Sequence, residues 1–266
     1  ATPEQIAELR EEMGLNDPVL VQYARYIFNL LQGDMGESYN SGLKCNVEIF
    51  ARFPNTLRLT ICAISLAVIL ALPIGILAAV KQNSLFDGAS MFIALIGLSM
   101  PVFWLGLLLI LFFSLRLGWF PSSGADGWKS LVLPTVTLGF QQMASIARVT
   151  RSSMLEVIRA DYIRTAKAKG VNQRTVILKH ALRNALIPVV TMIGMQIGGM
   201  LGGSVLTETV FSIPGCGRLL VDGIKQKDTP MILGCLIVTT IIFSVVNLFV
   251  DILYAFIDPR IKAEYK

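Results

Sequence analysis

Residues 161–188 read DYIRTAKAKGVNQRTVILKHALRNALIP and separate two long apolar stretches of the chain. This insert carries six Lys or Arg residues and has the apolar spacing of helices, so it is longer than a turn between two membrane helices requires. Gly170 divides it, because glycine readily takes the left-handed conformation that ends a helix. The insert is therefore predicted to be two helices that leave a membrane domain and return to it at Pro188.

Both helices of the insert are predicted to be amphipathic. Before Gly170, the residues Ile158, Tyr162 and Ala166 recur every four positions and form one apolar stripe. After Gly170, the apolar face is predicted to consist of Ile177, Leu178, Ala181, Leu182 and Ala185. A basic amphipathic helix can simply lie on anionic lipid head groups. A folded two-helix projection exceeds what lipid anchoring needs, which favours docking to a soluble partner.

The rest of the chain has the composition of a membrane protein. Of its 266 residues, 54% are hydrophobic and 15% charged, against about 45–50% and about 25% in soluble domains. A helix needs roughly 20 apolar residues to cross a bilayer. Five windows lack Asp, Glu, Lys and Arg: Leu59–Val80, Gly88–Leu115, Ser130–Ala147, Asn184–Thr207 and Thr229–Val250. They predict an all-α integral membrane protein with five visible spans at about 56–80, 88–115, 130–150, 185–207 and 229–257, the third being marginal in length.

The distribution of positive charge predicts the orientation. Segments 81–87, 148–183 and 258–266 together contain 13 basic and five acidic residues, and basic residues favour the cytoplasmic side. Residues 1–55 are then an external segment, while the insert (153–183) and a tail (259–266) are cytoplasmic. A chain that starts outside without a signal peptide is expected to have an earlier span, which makes six in the full protein.

Several classes of chemistry lack their sequence signals. The Walker A pattern is absent, and the single histidine, His180, has no companion ligands for a metal site. The basic run contains one aromatic residue, Tyr162, whereas nucleic-acid grooves interleave aromatics with their charges. We therefore expect no enzyme activity, no catalytic residue, no metal, no cofactor bound by this chain and no nucleic-acid partner.

Polar residues within the spans have two possible roles. The candidates for a substrate path are Ser99, Gln141, Gln142, Gln196 and Asn247, together with Pro101 beside Ser99, although polar side chains also bond helix to helix. The five charge-free windows contain no Asp, Glu, Lys or Arg, and Asp251 lies near the end of the fifth predicted span. Ion-coupled transporters usually carry such charges, so a transporter of this composition would need another source of energy.

Three further features concern the external side and the fourth span. Gly194, Gly198 and Gly202 allow close helix packing, either within this chain or against a partner. Gly215 and Gly217 are predicted to flank a bend before a short amphipathic helix, in a partly re-entrant cap over 208–230. A disulfide between Cys45 and Cys216 is possible, since pairing cannot be derived from sequence.

The insert resembles the EAA loop of ABC importer permeases, in the peptide/nickel branch of that family. Similar runs there match DYIRTAKAKG and LKHALRNALIPVVT. The resemblance continues through GDMGESY (33–39), GLSMPVFWLG (97–106), RVTRSSMLEV (148–157), LTETVFSIPGCGRLLVD (206–222) and NLFVDILYAFIDPRI (247–261). Arg164-Thr165-Ala166 replaces Glu-Ala-Ala of the general pattern, and the gap between Gly170 and Pro188 is wider. Both departures are usual in the peptide branch.

This resemblance implies a type I ABC importer transmembrane domain over residues 56–258, in a bacterial or archaeal cytoplasmic membrane. Its implied partners are membrane lipid, a second homologous permease, an extracytoplasmic solute-binding protein and two cytoplasmic ABC ATPases that hold ATP and Mg. The implied cargo is a peptide or a related small solute. The alternative is a secondary transporter or channel subunit that is not coupled to ATP.

The implied coupling helix is carried over residue by residue. It comprises Asp161, Tyr162, Arg164, Thr165, Ala166, Lys167, Ala168, Lys169 and Gly170. Tyr162 and Ala166 are expected to be buried in a cleft of the ATPase.

Overall fold

The computed structural model describes residues 16–257, together with residues 2, 4, 11 and 14. For residues 201–203, 251 and 253–257 it describes the backbone alone. The predicted tail at 259–266 lies outside the described residues. Within them, the regular structure is helical except for one isolated β-bridge between Glu37 and Lys44, in agreement with the predicted all-α class.

The longest connections between the helices are segments 32–44 and 117–126. In chain order they are α1 (Val19–Leu31), α2 (Cys45–Val80), α3 (Leu85–Ser99), α4 (Val102–Leu109), α5 (Gly127–Ile158), α6 (Asp161–Ala168), α7 (Gln173–Thr175), α8 (Leu182–Val210), α9 (Cys216–Gln226) and α10 (Thr229–Ile257). Two π-helical segments extend α4 and precede α8, namely Ile110–Arg116 and Val176–Ala181.

Three helical stretches among the described residues are long and apolar enough to cross a membrane: Cys45–Val80, Gln173–Met200 and Thr229–Val250. The stretch predicted as one span at 88–115 is instead a broken pair, in which α3 and α4 meet at 105°. Met100 is extended, with φ −83° and ψ 125°, because a residue before proline disfavours the helical conformation. The expectation of one continuous helix through Pro101 is therefore wrong.

The expected span at 130–150 lies within α5, which is 32 residues long. Gln141 and Gln142 make this helix less apolar than the three stretches above. Its position explains the difference, since α5 packs between α2 and α8 and buries polar residues such as Thr137 and Thr150. Polar side chains in membrane helices favour such interior faces.

Small residues allow α2 and α5 to approach closely. A Cβ added at Gly75 would lie 2.7 Å from the carbonyl oxygen of Ala147, and one at Gly139 would lie 2.8 Å from that of Ala63. The two contacts follow the same order along both helices, so α2 and α5 run parallel. The main core lies between α2, α5 and α8.

The glycines of α8 pack against α10 of the same chain. A Cβ at Gly194 would lie 2.0 Å from Val250 Cγ1, and one at Gly198 would lie 2.9 Å from Phe243 Cε2. The order of these contacts is reversed between the helices, so α8 and α10 are antiparallel. The sequence left open whether these glycines pack within the chain or against a partner, and Gly194 and Gly198 pack within the chain. Gly199 faces open space.

Two smaller hydrophobic clusters mark the ends of the bundle. The outer cluster consists of Cys45, Ile49, Cys216, Leu219, Met231, Cys235 and Val238. The inner cluster consists of Ala79, Met154, Ile163, Val176, Ala181 and Ala185. They involve opposite ends of α2, whose 36 residues span about 54 Å. The start of α2 and the insert therefore lie at opposite ends, as the charge distribution predicts. The Cys45 and Cys216 thiols are free.

Candidate functional site

The insert begins almost directly from α5, since only Arg159 and Ala160 separate α5 from α6. Gly170 follows α6 with a φ of +75°, so the predicted left-handed turn is confirmed. A Cβ at this position would meet nothing within 4 Å. The requirement for glycine therefore comes from backbone conformation and not from crowding.

The buried side of α6 differs from the predicted stripe. Ile163 is fully buried in the inner cluster, and Ala166 packs against that cluster. Tyr162 is 46% exposed, and its hydroxyl accepts a hydrogen bond of 2.7 Å from Asn184 Nδ2. Tyr162 and Ala166 therefore do not share one face, because the helix turns Ile163 and Ala166 towards the bundle, three positions apart. The expected burial of Tyr162 in an ATPase cleft stays a prediction.

The predicted apolar face after Gly170 is confirmed except at one position. Ala181 and Ala185 are buried in the inner cluster, and Ile177 and Leu182 pack against it. Leu178, also predicted on this face, is 60% exposed. It lies in the π-helical segment Val176–Ala181, where each turn holds more residues than the α-helical period assumes.

The remaining surface of α6 is open to solvent. Exposed residues are Asp161, Tyr162, Arg164, Thr165, Lys167, Ala168, Lys169 and Gly170. The one ion pair on this surface that the structure describes joins Arg164 Nη1 to Asp161 Oδ1 at 3.9 Å, with side chains 79% and 99% exposed. Such a pair contributes little to stability, so both groups are available to a partner.

The six candidate path residues lie on four parts of the bundle. Ser99 and Pro101 share an open, mainly apolar groove at the break between α3 and α4. Gln141 and Gln142 lie on α5, and Gln196 lies on α8, all partly buried. Among the described residues, Gln142 Oε1 is buried without a hydrogen-bond partner. Asn247 of α10 packs beside Gly198 of α8.

A buried carboxylate, not anticipated from the sequence, joins three helices at the outer end. Glu208 of α8 is fully buried. Its Oε1 accepts a hydrogen bond of 2.7 Å from the Thr56 hydroxyl of α2, and its Oε2 accepts one of 3.0 Å from the Arg218 amide of α9. The Thr56 hydroxyl in turn accepts a bond of 2.9 Å from the Cys216 amide.

Glu208 replaces the usual side-chain cap of α9. The N-cap residue, Gly215, makes no capping hydrogen bond, and a Cβ there would lie 2.3 Å from the Glu208 carboxylate. A negative group at a helix N-terminus satisfies free amides and complements the helix dipole. The predicted helix after Gly215 is present. Gly215 has a φ of −108°, which any residue can adopt, so glycine is needed here for the close approach of the carboxylate.

An ion pair at the inner end was likewise not anticipated. Asp87 of α3 and Arg151 of α5 form two hydrogen bonds of 2.5 and 2.7 Å. Sequence patterns treat both residues as loop charges, because periodicity carries no information about contacts 64 residues apart.

The sequence of this chain matches a known protein family. Residues 71–263 match the family described as binding-protein-dependent transport system inner membrane component. The chain belongs to this family. Membership confirms the resemblance found in the insert and the flanking motifs, and it implies ATPase and binding-protein partners in general terms.

Three relatives resemble this chain over nearly its whole length. The dipeptide transport system permease protein DppB of Alkalihalophilus pseudofirmus is 47% identical, over 98% of this chain and 87% of its own. The glutathione transport system permease protein GsiC of Salmonella paratyphi A is 48% identical, over 98% and 86%. GsiC of Escherichia coli O6:H1 is 49% identical, over 97% and 85%.

Solved structures support the fold of this chain. An inward-facing structure of the MetNI methionine ABC transporter has a TM-score of 0.66 at 21% identity, over 79% of this chain and 96% of that one. An amino acid ABC transporter has a TM-score of 0.60 at 17% identity, over 80% and 94%. The predicted class, an ABC importer transmembrane domain, is confirmed.

Proposed function

We propose that this chain is one permease subunit of an ATP-driven importer for dipeptides or other short peptides, glutathione included. The support is the identity of 47–49% to permeases named for dipeptide and glutathione transport. The subunit forms the path with a second homologous permease in a bacterial or archaeal cytoplasmic membrane. An extracytoplasmic solute-binding protein delivers the solute, and two cytoplasmic ATPases bind ATP and Mg, so this chain needs no cofactor of its own.

The observation that carries this proposal is the two-sided character of α6. One side is anchored through Ile163 in the inner cluster, while the opposite side presents Asp161, Arg164 and Thr165 to solvent. We infer that this exposed side, with Tyr162, docks in a cleft of an ATPase. Ala166 faces the inner cluster, so its role is to hold α6 in place instead of filling that cleft.

A path through the permease pair would use the polar residues of the spans. Gln142 is the strongest candidate, because its buried amide oxygen has no partner among the described residues and an unsatisfied polar group favours a ligand or water. Ser99 and Pro101 lie at the break between α3 and α4, where freed backbone groups can face a cavity. Gln141, Gln196 and Asn247 complete this set.

The test compares Gly170→Val with Gly42→Val in the reconstituted transporter. Both glycines have positive φ, +75° and +67°, and a Cβ at either meets nothing within 4 Å. Each substitution therefore carries a similar conformational cost, about 1–2 kcal/mol, but at opposite ends of the bundle. Arg164→Glu adds a charge change on the exposed side of α6 without touching the core.

We expect Gly170→Val and Arg164→Glu to weaken capture of the ATPase subunits and to reduce uptake of radiolabelled dialanine and glutathione. Gly42→Val should retain both. If Gly170→Val and Arg164→Glu bind the ATPases and transport like the parent, α6 is not the docking element.

A further inference from the structure

The Asp87–Arg151 pair is more enclosed than the other ion pairs of the described residues. The Asp87 side chain is 5% exposed and that of Arg151 is 24% exposed. Nε and Nη2 of Arg151 donate to the two oxygens of Asp87, at 2.5 and 2.7 Å. A bidentate pair of this kind fixes orientation as well as distance.

The pair also fixes the loop between α2 and α3. The Asn83 amide donates to Asp87 Oδ2 at 3.0 Å. Two turns beyond Arg151, Arg159 Nη2 donates to Gln82 Oε1 at 3.3 Å. The inner end of α5 therefore holds loop 81–84 and the first turn of α3 at two points, about 12 Å apart along the helix axis.

The same part of α5 is joined to α6. Met154, one turn after Arg151, is fully buried in the inner cluster together with Ile163 of α6. Only two residues separate α5 from α6, which leaves little freedom between them. A displacement of α6 must therefore move the end of α5 that carries Arg151.

On its other side the pair is joined to the broken span. Asp87 lies in the first turn of α3, and α3 ends at Ser99, directly before the 105° break. A helix transmits a displacement of its first turn along its length. Among the described residues, the Asp87–Arg151 pair is therefore the one ion pair that connects the insert, through α5, with the break between α3 and α4.

We propose that Asp87 and Arg151 are positioning residues that transmit displacement of the docked insert to α3 and so to the break at Pro101. The proposal rests on the docking of α6 described above. The bidentate geometry suits this role, because a fork with two parallel hydrogen bonds resists both sliding and rotation, whereas a lysine would resist sliding alone.

The test uses the complete transporter in vesicles, with its second permease, ATPases and binding protein. The variants are Asp87→Asn, Arg151→Lys and the exchanged pair D87R/R151D. Asp17→Asn is the matched control, because it removes an exposed ion pair with Arg25 at the other end of the chain. ATP hydrolysis and uptake of radiolabelled dialanine, with glutathione in parallel, are measured in the same vesicles, together with capture of the ATPases.

We expect uptake per ATP hydrolysed to fall by about 2- to 30-fold in Asp87→Asn, the range known for residues that carry coupling between sites. ATPase capture should stay at the parent level. Arg151→Lys should fall between the parent and Asp87→Asn, and the exchanged pair should recover part of the loss. Asp17→Asn should match the parent.

An unchanged ratio in Asp87→Asn and Arg151→Lys would overturn the proposal. Loss of ATPase capture in these variants would also overturn it, since the pair would then support docking and not transmission. Failure of docking itself is recognised separately by Gly170→Val and Arg164→Glu, which leave the pair intact.

A second measurement needs no variant and no transported solute. Amide hydrogen exchange is compared between the resting complex and the complex trapped with ATP and vanadate. We expect protection to change together in 81–90, 151–158 and 161–170. A change in 161–170 without one in 81–90 would overturn the transmission role, whereas no change in 161–170 would count against the proposed function.

Discussion

The Glu208 junction allows a quantitative prediction, because each of its hydrogen bonds can be removed with little change in shape. In Glu208→Gln, one of the two oxygens becomes an NH₂ group. Whichever way the amide turns, either the Thr56 hydroxyl or the Arg218 amide then faces a donor. A buried donor left without an acceptor costs about 1–3 kcal/mol, so we expect that loss of unfolding free energy.

Thr56→Val should cost more, because one hydroxyl serves two bonds. It donates to Glu208 Oε1 at 2.7 Å and accepts from the Cys216 amide at 2.9 Å. Removing it leaves the buried Cys216 amide unsatisfied and weakens the carboxylate site, which we expect to cost about 2–4 kcal/mol. Thr209→Val is the matched control, since the Thr209 hydroxyl bonds only to its own helix, at Val205 O, and should change stability by no more than about 0.5 kcal/mol.

The assay is unfolding of the purified protein in mixed micelles with increasing SDS, followed by tryptophan fluorescence. The order of stability should be parent and Thr209→Val first, then Glu208→Gln, then Thr56→Val. If Thr56→Val unfolds with Thr209→Val, the three-helix junction does not stabilise the outer end and the reasoning fails.

Two further predictions concern α8 and the start of α10. Gly198→Ala should cost about 1–3 kcal/mol through overpacking against Phe243, while Gly199→Ala, which faces open space, should gain up to about 1 kcal/mol from helix propensity; equal SDS midpoints would contradict this packing. Burial opposes ionisation of Asp228, but hydrogen bonds from Ser38 and from backbone amides outweigh it and lower its pKa. A lowered pKa in the folded state stabilises above the unfolded value of about 3.9, so Asp228→Asn should be less stable than the parent at pH 7, and the difference should shrink as pH falls below about 4. A difference that is independent of pH would exclude this linkage.

The features predictable from the sequence are those encoded by neighbouring residues. Charge-free windows identify apolar helices, and the placement of Lys and Arg predicts which ends lie together. The turn at Gly170 follows from a local property, since glycine takes positive φ at low cost. The helix after Gly215 follows from its amphipathic spacing.

The break at Pro101 could not be predicted from local sequence signals. Pro54, Pro73, Pro134 and Pro188 all lie inside continuous helices, so proline alone does not predict a break in this chain. Within a membrane bundle, neighbouring helices compensate for the bond that proline removes. Which proline breaks its helix therefore depends on tertiary packing, which no window of sequence contains.

The contacts of Glu208 and Asp87 could not be predicted from the sequence either, because they too depend on tertiary packing. Glu208 contacts Thr56 across 152 residues, and Asp87 contacts Arg151 across 64. Each looks like an ordinary loop charge until the helices are assembled. The π-helical segment before α8 could not be predicted either, because the amphipathic face was assigned with a period of 3.6 residues and a π-helix has a different period.

The polar contacts at the two ends constrain which parts of the bundle can move separately. Glu208 binds α8 to α2 and α9 at the outer end, and between the ends α2 and α5 are in close contact at Gly75 and Gly139. These helices are therefore expected to move as one body. The broken span differs, because Asp87 ties α3 to α5 at the inner end while the break at Pro101 interrupts the helix between that tie and α4. Rotation about the break costs fewer hydrogen bonds than bending any continuous helix, so a movement delivered at Asp87 should be expressed there, beside Ser99.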